Sequence, residues 1–312
     1  MDPACRYPFE ANVGGKFVQQ DIATLGSVEI AKLFEEGSIR VLAGCAPCQP
    51  FSGYTTRRRA TDGRWQLLLD FLRIVQDILP EVVTLENVSR LVQLPLWNEF
   101  TSGLQNSGYH VAWKVIDASE YGVPQNRKRL VLLASRLGPI SLPTPIGKKD
   151  TTVKQAISHL PKISAGEQSQ TDFLHASRAL TDLNLARIRS SKPAGTWREW
   201  PKELQVDCHK TPAGKTYPSV YGRMSWDKPA PTITTQFYGF GNGRFGHPEQ
   251  DRAITLREGA ILQSFPSDFK FCPKNRKLNF RLVGRLIGNA VPPALAHAIG
   301  SAIVSHVSGF SK

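Results

Sequence analysis

Cys48 sits in the run Gly44-Cys45-Ala46-Pro47-Cys48-Gln49-Pro50-Phe51-Ser52, immediately after the apolar stretch Ile39 to Ala43. That stretch reads as a buried strand, so the thiol is expected on a loop at the carboxyl edge of a sheet, where open α/β sheets bind their ligands. A thiol attacks carbon only as its thiolate; a loop entering a helix, with Arg57, Arg58 and Arg59 close behind, favours that form. Other readings stay open. Cys45 and Cys48 form a C-x-x-C, which can be a redox pair or half of a zinc site. Against these, no second C-x-x-C and no clustered histidine pair completes a metal site, and the chain is far larger than a redox domain needs. Both could also be plain buried cysteines.

Glu86 closes a second apolar run in Thr84-Leu85-Glu86-Asn87-Val88. Parallel pairing of the two runs brings its carboxylate to the same edge as Cys48; the competing role is a helix cap or a plain ion pair. Gln125-Asn126-Arg127-Lys128-Arg129 precedes a third apolar run, Leu130 to Ala134. Its alternating arginines point to one face, suiting a phosphate and a base oxygen, or equally a solvated basic surface.

The elements that must position these groups are legible from periodicity. Leu67, Leu68, Phe71, Leu72, Val75 and Leu79 recur at helical spacing up to Pro80, between the first two strands, which makes a βαβ unit. A helix over Trp97 to Gln105 and a strand over Val111 to Ile116 follow, and a parallel α/β sheet is the economical reading. After about Ser135 the chain turns rich in Pro, Gly, Ser and Thr, with aromatics scattered among basic residues, so a second domain is expected there. Helical spacing returns at Thr255 to Gln263 and at Ala294 to His306.

Among the 312 residues, 39 Lys and Arg against 26 Asp and Glu give a formal charge of +13. Such a balance favours a polyanionic partner, nucleic acid first, because each neutralised phosphate releases counterions. Five cysteines without regular spacing argue against a disulfide framework and for a reducing compartment. No apolar run approaches the roughly 20 residues of a membrane span and no signal peptide opens the chain, so a cytoplasmic protein is expected.

The ordered set Pro47-Cys48-Gln49, Glu86-Asn87-Val88 and Gln125-x-Arg127-x-Arg129 resembles the C5-cytosine-specific DNA methyltransferase family. The resemblance continues through Thr255-Leu256-Arg257-Glu258, Leu262-Gln263-Ser264-Phe265-Pro266 and Gly288-Asn289-Ala290-Val291-Pro292-Pro293. It implies a Rossmann-like, S-adenosylmethionine-dependent methyltransferase sheet, α/β in class, with a smaller irregular target recognition domain. The implied divisions are a catalytic domain over 1–136, the recognition domain over 137–252 and a C-terminal segment, 253–312, returning to the catalytic domain. By the same resemblance, Cys48 adds to cytosine C6, Glu86 engages N3, Arg129 holds the base O2, Arg127 steadies the loop or a phosphate, and Asn87 helps fix Glu86. Addition at C6 turns the ring into an enamine whose C5 can take a sulfonium methyl group. The target base lies inside a stacked duplex and has to be flipped out first, as is general for DNA methyltransferases. Gln49, Ser52, Arg57 and Arg58 would meet the DNA on a closing loop, and Thr232 and Thr234 resemble the threonine pair that braces the flipped nucleotide.

The family begins with a strand, a Phe-x-Gly-x-Gly loop that wraps the cofactor and an acid for the ribose, and this chain starts just after them by resemblance, with Asp2-Pro3-Ala4 and Phe9-Glu10-Ala11-Asn12. A sheet missing its first strand is therefore expected. Phe237-Tyr238-Gly239-Phe240-Gly241 spells the glycine pattern, but follows no clear strand and suits a recognition loop better; Gly14-Gly15 reads as a turn. For S-adenosylmethionine the resemblance leaves Asp21, Ile22, Pro47, Leu67, Asn289 and Val291. Two expectations follow: the polypeptide alone is inactive unless a separate chain supplies the front segment or the true start lies upstream, and it works as a monomer on double-stranded DNA, in a restriction-modification setting. The alternative is a catalytically dead DNA-binding remnant. A tRNA-methylating relative fits less well, since no Cys-Phe-Thr follows Glu86-Asn87-Val88.

Overall fold

The computed structural model describes residues 2–45, 66–147 and 151–310. Its elements run α1 (Arg6–Val13), α2 (Ser27–Ala31), β1 (Val41–Gly44), α3 (Gln66–Ile78), β2 (Val82–Val88), α4 (Pro95–Asn106), β3 (His110–Asp117) and β4 (Lys128–Ser135). Then come α5 (Val153–Ile157), α6 (Asp182–Arg189), α7 (Asp207–Lys210), α8 (Leu256–Leu262), α9 (Phe280–Asn289) and α10 (Pro293–Ser308).

The four strands form one sheet in the order β1-β2-β4-β3. β1 and β2 pair in parallel, with Gly44 opposite Leu85. The all-parallel expectation fails at β4, which runs antiparallel to both β2 and β3. The cause is the connection: only the ten residues between Asp117 and Lys128 join β3 to β4, and Asp117 pairs directly with Lys128. Too short for a crossover helix, that link makes the chain double back. β3 thus lies parallel to β2 with β4 inserted between them.

Period-two alternation gives β4 two buried faces. Leu130, Leu132 and Ala134 join α3 and α4 in a core with Leu68, Phe71, Val75, Trp97 and Phe100. Val131 and Leu133 face the other way, onto Leu295, Ile299 and Ile303 of α10. Close packing forces glycine at the end of β1: a Cβ on Gly44 would stand 2.7 Å from the Phe71 ring. At the opposite end of these strands, Arg40 clamps them through Glu81 at 2.8 Å, and that hydrogen bond holds the Glu81 carboxyl down at about 2.

A separate core is built from α5, α8, α9 and the irregular segment between them, including Phe237, Ile254, Leu256 and Ile287. Phe237 and Tyr238 are buried in it, Phe240 is buried in a neighbouring cluster with Trp197 and Trp200, and no strand directly precedes the three among the described residues. Gly14 is the left-handed cap of α1, with φ of 70°. The expectation of no span-like stretch is corrected: Phe280–Ser308 is long and apolar enough to cross a membrane by length and composition. Its Leu, Ile and Val residues are interrupted by Gly, Asn, Pro, His and Ser, so it holds no unbroken apolar run. Extended backbone at Ala290 and Pro292 divides it into α9 and α10, which pack on different cores.

Candidate active site

β2 carries Glu86 to the carboxyl end of the sheet, and β4 returns past it with Arg129 opposite Val88. The antiparallel register therefore sets Arg129 two residues from Glu86 along the same edge, and the two form an ion pair with Arg129 Nε 3.0 Å from Glu86 Oε1. Their side chains are 14% and 10% exposed, so the pair is largely but not wholly buried. The second carboxylate oxygen is met from β1: Cys45 Sγ donates to Glu86 Oε2 at 3.4 Å. Next to it, Asn87 is buried and its Oδ1 accepts from the Val88 N–H at 2.8 Å.

Arg127 is used differently. It is 2% exposed, and its guanidinium donates to the carbonyls of Ile233 at 2.9 Å, Gly288 at 3.0 Å and Ala290 at 3.3 Å. Gln125 beside it donates to Leu262 O and Gln263 Oε1 and accepts from the Ile233 N–H. Gln263 Nε2 in turn reaches Ile287 O at 2.7 Å. These contacts stitch the sheet, the segment 230–234 and the end of α9 into one junction. The reading of both arginines as a solvated basic face is thereby excluded.

Thr232 Oγ1 donates to Asn126 O at 2.8 Å, so it belongs to the junction, whereas Thr234 is exposed. The backbone of Thr234 lies so close to α9 that a Cβ on Gly288 would stand 2.4 Å from it. Asn289 is exposed and Val291 half-buried just beyond. Asp21 and Ile22 stand elsewhere on the sheet: Ile22 packs near Leu42, Ile74 and Ile78, its carbonyl accepts from Arg73, and Asp21 Oδ1 accepts from the Ala23 N–H. Leu67 is half-buried on the first turn of α3. Pro47, Cys48, Gln49, Ser52, Arg57 and Arg58 lie outside the described residues. No metal-binding cluster occurs among the described residues.

Two participants escaped sequence reasoning. Cys45 looked like a neighbour of the important cysteine, and its contact with Glu86 required the β1–β2 register. Gln263 gave no signal beyond its place in a motif, because its partners lie on other elements. A third group has a local signature: Thr255 and Glu258 form a capping box on α8, legible as Thr-x-x-Glu.

Residues 1–305 match a family model described as C-5 cytosine-specific DNA methylase. The type II methylase M.HgiDII of Herpetosiphon aurantiacus is 45% identical over 316 residues, which span 100% of this chain and 89% of the relative. The type II methyltransferase M1.HphI of Haemophilus parahaemolyticus is 34% identical over 266 residues, 82% of this chain and 67% of that one. In fold, the chain resembles the solved structure of Entamoeba histolytica methyltransferase EhMeth, with a TM-score of 0.65 at 13% identity, covering 98% of this chain and 88% of that one.

Proposed function

The chain belongs to the C-5 cytosine-specific DNA methylase family, and from that premise we propose that it methylates C5 of cytosine in a specific duplex sequence through a covalent adduct between Cys48 and C6 of a flipped base. One observation carries the reading: Glu86 is held between Arg129 and Cys45, three residues before Cys48. Cys48 follows Cys45 by only three residues in sequence, which supports assigning its thiol to the same site. Once the thiolate adds to C6, negative charge spreads toward N3 and O2 of the ring. Glu86, acting as the acid, gives a proton to N3, and its partner Arg129 donates to O2. After C5 has gained the methyl group, a solvent base takes the C5 proton and the N3 proton returns to Glu86; elimination then breaks the S–C6 bond and returns Cys48 as the thiolate.

S-adenosylmethionine supplies the methyl group as an electrophile when bound. The residues present fit parts of it: Ile22 and Leu67 offer apolar walls for a purine, with Asp21 as an acceptor beside them, and Asn289 and Val291 stand at the α9–α10 junction. Pro47 would complete this set. Thr234, with Gln49, Ser52, Arg57 and Arg58, is assigned to the DNA, while Thr232 and Arg127 hold the junction that presents them. The protein acts as a monomer on duplex DNA in a restriction-modification setting. Among the described residues β1 pairs only with β2, and its outer edge is where a strand from a separate chain would add.

The reading is tested with duplex DNA prepared with 5-fluorocytosine and S-adenosylmethionine, with the front segment supplied to every variant. Wild type is expected to form an adduct stable to denaturant, and Cys48→Ser to form none while still binding DNA. DNA binding without an adduct in the wild type would favour a catalytically dead remnant.

A further inference from the structure

The start of α9 gathers positive charge that the active site does not use. A groove of about 630 Å³ is lined there by Arg178, Lys277 and Arg281, with backbone from Gly166 and Ala179. All three cations are exposed, and none forms an ion pair among the described residues. No carboxylate lines the groove. The acid nearest in sequence, Glu167, instead accepts from the Ser164 N–H at 2.6 Å. Lys274 and Arg276, both exposed, extend the charge. The helix end is not the attraction, because Asn279 already caps it by accepting from the Leu282 N–H at 3.0 Å.

Three unpaired cations around one groove repel one another, and native surfaces usually relieve this with interspersed acids. Here a strip of packing ties them to the DNA-facing side. Along α9, Phe280, Gly284 and Gly288 recur at four-residue spacing. Gly288 abuts Thr234, Gly284 abuts Tyr238 and the Thr235 carbonyl, the Phe280 ring lies 5.6 Å from Tyr238, and Arg178 sits over Phe280 at 6.0 Å. At 1.5 Å per residue, α9 sets this groove about 15 Å from Thr234, or roughly four base pairs along a duplex.

We propose that Arg178, Lys277 and Arg281 form a clamp for backbone phosphates of duplex DNA flanking the methylated base. The proposal rests on the DNA-methylating reading above and adds a site to it. Phosphate contacts carry no sequence information, so the test needs no recognition sequence. Binding of the full chain to a duplex of random sequence is measured between 50 and 200 mM salt, for wild type and for Arg178→Gln, Lys277→Gln, Arg281→Gln and the triple variant, with thermal melts to verify folding. Each substitution is expected to flatten the slope of log K against log salt by about 0.9, and the triple variant by roughly 2.7. Folded variants with the wild-type slope would overturn the clamp alone. A wild type that does not bind duplex DNA would overturn both the clamp and the function it rests on. Slopes that flatten with duplex RNA but not with DNA would overturn the assignment to DNA.

Discussion

Two arginine–carboxylate pairs in this molecule are built for opposite ends. Arg129 and Glu86 meet through a single contact with some exposure left on both, and a thiol occupies the other carboxylate oxygen. Arg252 and Glu258 are 0% and 1% exposed and joined by two contacts, at 2.7 and 2.8 Å, while Glu258 also accepts from the Thr255 N–H at 2.7 Å. Burial alone would raise the Glu258 pKa, but the Arg252 guanidinium wins and holds it below the usual carboxylate range. A sealed pair whose carboxylate accepts three hydrogen bonds from within the protein serves the fold. The open one keeps an edge available to a ligand, at some expense in stability. His247 belongs to the sealed group: its Nδ1 accepts from the Glu249 and Gln250 N–H groups, and burial pushes its pKa down to about 4.

The contrast is broken most directly by Glu258→Ala. That change leaves Arg252 buried without a counter-charge and is expected to lose about 3–5 kcal/mol in urea unfolding. Glu86→Gln should do the reverse: a fall of about 100-fold or more in single-turnover methyl transfer, with a stability change of about 1 kcal/mol. Equal stability losses in the two variants would erase the distinction. A smaller effect comes from pH. Because His247 is held neutral in the folded state, its contribution to stability is complete above its unfolded pKa near 6.5 and is lost as pH falls toward about 4. Stability should therefore drop by roughly 2–3 kcal/mol across that window, and His247→Gln should flatten the drop. Glu258 adds its own loss at lower pH, as it falls from the unfolded value through the depressed folded one.

Particular residues show what could be read in advance. The helix ending at Pro80 and the strands around Val83, Val115 and Leu132 fall where apolar spacing puts them, because that signal is local and repeats within a few residues. The direction of β4 was missed because periodicity is identical for parallel and antiparallel strands; only the short link after Asp117 decides it. Arg127 and Arg129 looked equivalent two residues apart. One reaches carbonyls 106 and 161 residues away, and the other a carboxylate on β2.

The order of chemical groups along the chain, the elements that carry them and the family they mark are properties of the sequence by itself, since residue type and local spacing encode them. Which guanidinium pairs with Glu86 and which is spent on backbone carbonyls, that Cys45 touches Glu86, and that α9 lays Thr234 and a basic groove along one strip were decided only by the tertiary structure. Those outcomes depend on contacts between distant segments, and short-range pattern holds no record of them.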